Sequence, residues 1–354
     1  MDPRALKLRM LKRVLAPPEV CVGKGGVERL ACFDPAERLL VVGRNPLVPV
    51  PERVEFRGQP CVAALESLRP RVAAFAPTWI VAVGGGTVID AAKFLWAMYE
   101  HPDLSLSAAA PVPIGPLRKK ARFAAVPTTA GSGSEASQAA VLTADDGTKI
   151  PFVSPEWVPD LAILDPTLTV SLPRDLTAAT GFDALAHALE ASASSLGNTL
   201  LQSLAGTAVD LLLRHLPAAV ENPQNLAARE GMLEAAYLAG LCQSTASTGA
   251  AHALSHATSK LHGTPHAPAT GFYLLPTMRW NRRKNAALYD RLDAIADLAV
   301  RVGLPRTFTE LLGRTLDGAE RQALAETAAK DVCLRTNPCR MTVADLAQLL
   351  AEIE

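Results

Sequence analysis

The chain has 354 residues, too long for one small core and close to the length of two ordinary domains. Its 35 lysines and arginines balance its 35 aspartates and glutamates, which leaves no electrostatic footprint for nucleic acid. No apolar run approaches the roughly 18 residues of a membrane helix, and the six scattered cysteines form no C-x-x-C pair, so a cytoplasmic enzyme or binding protein is expected.

In chain order, the basic stretch 4–13 predicts a short surface helix. Residues 38–42 (RLLVV) predict a buried strand, 54–57 a short one and 79–83 (WIVAV) another. Gly84-Gly85-Gly86 gives way to 87–99, where Val88, Ala91, Ala92, Leu95 and Met98 recur at helical spacing. A further strand, 123–126, ends at Pro127. This alternation argues for a parallel, doubly wound sheet. Beyond about residue 165, the alanine- and leucine-rich stretches 176–192, 199–216, 226–247 and 289–302 predict helices, with Gly and Pro between them. The chain therefore divides into 1–168, an α/β domain with a parallel Rossmann-like sheet, and 169–354, an all-helical domain.

Gly84-Gly85-Gly86-Thr87 stands between a strand and a helix, where small residues let a phosphate approach free backbone N–H groups. It is not the G-x-G-x-x-G fingerprint. A second small, hydroxyl-rich loop, 127–134 (PTTAGSGS), follows the next strand. Two such loops at neighbouring strand ends suit one extended, phosphorylated cofactor.

Five of the seven histidines lie in two segments: His187, then His252, His256, His262 and His266. Asp183 and His187 are spaced i, i+4, as are His252 and His256, and each pair shares a helix face. A carboxylate with imidazoles and no nearby thiol suits Fe(II), Zn(II) or a similar ion. Spacing alone selects Asp183, His187, His252 and His256 as ligands and holds His266 in reserve. A serine hydrolase is disfavoured, because Gly131-Ser132-Gly133 is not G-x-S-x-G.

The stretches GGGTVIDAAK (84–93), PTTAGSGSEAS (127–137), LAILDPTLTVSLP (161–173), TAATGFDALAHALEA (177–191), GAAHALSHATSKLHGTPHAPATGFYLLP (249–276) and TNPCRMTVADLAQLL (336–350) together resemble the iron-containing (group III) alcohol dehydrogenase family. The resemblance implies the dehydroquinate synthase-like architecture of that family, with catalysis between the two domains. It implies Asp183, His187, His252 and His266 as metal ligands and moves His256 into the substrate pocket as the catalytic proton relay. It implies Gly85, Gly86, Thr87 and Asp90 beside the pyrophosphate of a nicotinamide cofactor, Thr128, Thr129 and Ser132 toward its nicotinamide end, and Lys149 in contact with it. The metal would be Fe(II), with Zn(II) as the alternative. A homodimer with a small aldehyde or alcohol as substrate completes the expectation, with no nucleic-acid or membrane partner.

Two departures from the family pattern stand out. Where the family often carries an aspartate after strand 38–42, this chain has Gly43-Arg44-Asn45, which favours NADP(H) over NAD(H). The crossover after that strand is also too short for the usual helix. The compact N-terminal half is similar to members that reduce phosphonoacetaldehyde in phosphonate metabolism; Arg118-Lys119-Lys120, or Arg279 and Arg282, would supply the cations such a substrate needs. A short-chain alcohol dehydrogenase of general specificity and a metal-free enzyme of the maleylacetate reductase kind are the rival readings.

Overall fold

The computed structural model describes residues 13–34, 36–43, 52–106, 112–285 and 289–353. The expected helix at 4–13 thus lies almost wholly outside the described residues, and Arg44 and Asn45 lie outside them entirely.

The first half is built on a six-stranded, all-parallel sheet in the order β1-β8-β5-β4-β2-β3. Its strands are β1 (Glu19–Val22), β2 (Leu39–Gly43), β3 (Glu52–Val54), β4 (Trp79–Gly84), β5 (Arg122–Pro127) and β8 (Leu161–Leu164). The central strands are apolar along their whole length because both faces are covered. Leu40, Val42, Ile80, Ala82, Phe123 and Ala125 pack under helices α1 (Val62–Phe75) and α2 (Gly86–Glu100). Val41, Val81, Val83, Ala124, Val126 and Ile163 form the opposite face. The strand expected at 54–57 forms earlier, at β3. It pairs parallel to β2 across residues 44–51, fewer than the dozen a helical crossover normally takes. A separate antiparallel hairpin, β6 (Ala139–Thr143) and β7 (Lys149–Val153), turns at Asp146-Gly147 and was not foreseen.

The second half is helical, as the composition implied: α3 (Arg174–Ala193), α4 (Thr199–Glu221), α5 (Leu226–Ala246), α6 (Ala250–His262), α7 (His266–Lys284), α8 (Leu292–Val302), α9 (Phe308–Leu312), α10 (Gly318–Ala328) and α11 (Val343–Ala351). One core joins α3, α4, α5 and α8 and includes Ala130 and Leu164 from the sheet's carboxyl end. Another joins α6, α7, α10 and α11 around Leu254, Tyr273, Leu324 and Leu346. The carboxyl ends of the strands therefore abut α3 and α5. Among the described residues no helix is long and apolar enough to cross a membrane.

Candidate metal centre and cofactor cleft

Helix α3 presents Asp183 and His187 one turn apart, both buried. Helix α6 presents His252 and His256 at the same spacing, His252 buried and His256 partly exposed. It ends at Gly263, whose φ of 68° closes the helix in the left-handed region. The chain then re-enters as α7, so that His266 sits in its first turn and approaches from a third direction. Asp183 Oδ1 lies 3.8 Å from His252 Nε2 and 3.6 Å from His266 Nε2. The rings of His187 and His252 stack at 4.7 Å, and those of His252 and His266 are 5.4 Å apart. Asp183, His187 and His252 bring their ligand atoms within 4.8 Å of one another, and His266 joins them through Asp183.

Each imidazole of the group is anchored at Nδ1. His187 Nδ1 meets the Gly131 carbonyl at 3.3 Å, and His252 Nδ1 meets Glu190 Oε2 at 2.5 Å. Because these partners only accept, Nδ1 carries the proton and Nε2 keeps its lone pair. Ser255 Oγ donates to the His266 carbonyl and lies 3.0 Å from His266 Nδ1, so it accepts there. Burial pushes His187 down to about 4. His266 is held well below 6.5 by desolvation and by the neighbouring imidazoles of His256, His252 and His187. At His252 desolvation is the largest single influence and works downward, but Glu190, Asp183 and Asp331 together outweigh it and the net shift is upward.

The donor set fits a divalent cation. Asp183 Oδ1 and His252 Nε2 are buried and make no hydrogen bond, an arrangement of two facing acceptors that is costly without positive charge between them. One carboxylate and three imidazoles suit Fe(II) or Zn(II). His256 stands beside this group. Its ring stacks on His266 at 5.1 Å while Nδ1 turns away to Asp331 Oδ2 at 2.8 Å.

The two small loops meet at the carboxyl ends of β4 and β5. Gly85 caps α2, and a Cβ on Gly86 would fall 2.5 Å from Ser132 Oγ, so the second loop closes directly over the start of the helix. Thr128 N–H donates to the Gly84 carbonyl, and Thr129 lies against Gly85. Thr87 is in the first turn of α2, where backbone N–H groups face outward. Asp90 is turned into the protein, accepting from Ser134 Oγ and from Val141 N–H. Lys149 Nζ donates to Gln59 Oε1 at 2.7 Å and Thr143 Oγ1 at 2.9 Å. At the end of β2, Arg53 Nη1 donates to the Gly43 carbonyl at 3.4 Å.

Sequence reasoning passed over three charged residues beside the site, Lys93 and Glu190 buried and Asp331 half-buried. Lys93, one helical turn after Asp90, donates to the carbonyls of Ser134, Ser137 and Ala139 and so staples the second loop to α2; burial pushes it down to about 8. Glu190 continues the Asp183–His187 stripe at i+7. Asp331 carried no local motif at all.

The cations read for an anionic substrate are elsewhere. Arg118 pairs with Asp160 at the amino end of β5, and Lys120 donates to the Tyr99 carbonyl. Arg279 and Arg282 are exposed on α7, about 20 and 24 Å along the helix from His266 at 1.5 Å per residue. Helix length, invisible to a count of nearby charges, separates them from the centre.

The model of the iron-containing alcohol dehydrogenases matches residues 20–166, and that of the C-terminal part of the Fe-containing alcohol dehydrogenase family matches 177–293. The chain is 34% identical over 313 residues to the probable alcohol dehydrogenase EutG of Salmonella typhimurium, covering 83% of this chain and 77% of that one. It is 32% identical to the NADPH-dependent butanol dehydrogenase of Clostridium saccharobutylicum, with 82% and 79% covered. Among solved structures, a 1,3-propanediol oxidoreductase superposes with a TM-score of 0.86 at 26% identity, covering 97% of this chain and 100% of that one. The sulfoacetaldehyde reductase of Bifidobacterium kashiwanohense, in complex with NAD+, superposes with a TM-score of 0.84 at 28% identity, with 97% and 99% covered.

Proposed function

Because the chain belongs to the iron-containing alcohol dehydrogenase family and is an oxidoreductase acting on alcohols, we propose that it interconverts a small aldehyde and its alcohol at an ion held by Asp183, His187, His252 and His266. The facing, unpartnered acceptors Asp183 Oδ1 and His252 Nε2 carry this reading. An ion there supplies Lewis-acid stabilisation of the substrate oxygen, and a nicotinamide cofactor supplies or accepts the hydride. Fe(II) is the expected ion, with Zn(II) as the alternative.

The chain's own groups do the rest. Gly85, Gly86 and Thr87 offer the N-terminus of α2 to the pyrophosphate, with Asp90 and Lys93 holding the 132–141 segment behind it. Thr128, Thr129 and Ser132 lead from there toward His187, which the Gly131 carbonyl ties to the same loop. That direction supports a nicotinamide end beside His187 and an adenosine end toward β2. There a guanidinium, Arg53, borders Gly43. Together with Gly43-Arg44-Asn45 in the sequence, this supports NADP(H). Lys149 lies on the β6–β7 hairpin as a further cofactor contact. His256 keeps Nε2 available and relays the hydroxyl proton to solvent.

The likeness to a butanol dehydrogenase and a 1,3-propanediol oxidoreductase supports a neutral short-chain aldehyde as substrate. Reduction of phosphonoacetaldehyde rests on the compact N-terminal half and on the likeness to the sulfoacetaldehyde reductase, while Arg118 and Lys120 are engaged at the amino end of β5 and Arg279 and Arg282 lie along α7 away from His266. Oxidation of NADPH and NADH by iron- and zinc-loaded protein should be followed with propanal, butanal, sulfoacetaldehyde and phosphonoacetaldehyde. The neutral aldehydes with NADPH should be fastest; no turnover with any aldehyde and either cofactor would remove the proposal.

A further inference from the structure

Helix α6 carries two imidazoles on one face, and each is met at Nδ1 by a carboxylate from a different part of the chain. Glu190 of α3 meets His252 at 2.5 Å. Asp331, just ahead of the 3-10 turn Val332–Thr336, meets His256 at 2.8 Å. In both cases the second carboxylate oxygen is also taken by a backbone N–H: Glu190 Oε1 by Ala251 at 2.7 Å, and Asp331 Oδ1 by Cys333 at 2.8 Å. Each acid therefore faces two donors and cannot rotate without losing one. Each fixes its imidazole in the Nδ1–H tautomer and sets the ring's direction.

The two pairs differ in their access to water. The side chains of His252 and Glu190 are 4% and 5% exposed, whereas those of His256 and Asp331 are 22% and 16% exposed. A dry imidazole held by a doubly bonded acid suits a fixed ligand, and a wetter one can exchange protons with solvent.

We infer that Glu190 and Asp331 are positioning residues with separate tasks, Glu190 setting the ion affinity of the site through His252 and Asp331 setting proton transfer through His256. The inference rests on the function proposed above. In alcohol oxidation the substrate O–H bond breaks and its proton passes to His256 Nε2 and then to water, while the C–H bond gives its hydride to the oxidised nicotinamide. Throughout, Nδ1–H stays on Asp331. Neither acid touches substrate.

An amide at either position has one oxygen for two donors, so glutamine or asparagine must abandon one of them. Zinc affinity, read by competition with a chromophoric chelator, and steady-state kinetics of the metal-loaded enzyme separate the two tasks. Glu190→Gln should bind zinc about 10–100-fold more weakly, and Glu190→Asp, which keeps two oxygens, should recover part of that loss. Asp331→Asn should hold zinc within about twofold of the parent, while kcat falls by at least about tenfold with KM little changed and a larger solvent deuterium isotope effect. Parental zinc affinity in Glu190→Gln, or zinc loss with an unchanged isotope effect in Asp331→Asn, would overturn the assignment. A parent protein that binds no zinc or iron would instead overturn the underlying metal reading.

Discussion

Asp183 Oδ1 and His252 Nε2 face each other across 3.8 Å with no donor between them, both buried and both without a hydrogen bond. Two opposed acceptors in a dry site are a source of instability that a cation converts into cohesion across α3 and α6. Removing the ion with a chelator should therefore lower the thermal midpoint by about 3–4 °C, the shift expected when a ligand present at about 100 times its Kd is withdrawn from a chain of this size. Differential scanning calorimetry with and without added iron or zinc reads it. An unchanged midpoint would mean that nothing binds there.

The second loop is pressed against α5. Gly133 has φ 62°, and a Cβ on it would lie 2.4 Å from Gly240 Cα and 2.7 Å from the Ala236 carbonyl. Both neighbours are backbone and cannot swing aside. Gly133→Ala should cost about 1–3 kcal/mol in urea unfolding. Gly206→Ala, in the interior of α4 with nothing within 4 Å of the added methyl, should instead stabilise by about 1 kcal/mol.

Lys93 answers three carbonyls and lies between Asp90 and Glu135. Lys93→Met leaves those groups buried without their cation, a loss of about 3–5 kcal/mol when a buried charge loses its counterpart. The 134–139 segment should loosen, and NADPH affinity, measured calorimetrically, should fall with it. Retained affinity would show that the loop holds its shape without the staple.

Glu135 is buried, its Oε1 has no hydrogen bond, and burial pushes its carboxyl up to about 7. The folded chain keeps a proton there that the unfolded chain releases near the ordinary glutamate value of 4.5. The stabilising contribution is complete below that value and is lost as pH rises through about 7. Glu135→Gln should flatten the fall in unfolding free energy between about pH 5 and 8. An unaltered slope would place the titration elsewhere.

The helical stripe of Asp183 and His187 was legible because a period of 3.6 leaves i, i+4 on one face, and Glu190 at i+7 lay on the same stripe. An acid on a helix ordinarily marks the solvated side, so nothing flagged it. Spacing preferred His256 and held His266 in reserve, because a break at Gly263 and Pro265 does not tell in which direction the chain re-enters; the family resemblance promoted His266. The sheet's central strands were readable from unbroken apolar runs. Strand β1 was not, since Glu19–Val22 is largely exposed along an edge, and the β6–β7 hairpin was overlooked despite Asp146-Gly147 at its turn. Asp331 reaches His256 across 75 residues of sequence, a contact that only tertiary packing creates.

Metal analysis of purified parent, His266→Ala and His256→Ala proteins by mass spectrometry, after loading with iron or zinc and exhaustive dialysis, tests the four-residue site most directly. The parent and His256→Ala should retain a stoichiometric divalent ion, and His266→Ala should lose it together with activity. Full occupancy in His266→Ala, or loss of the ion in His256→Ala, would contradict the account.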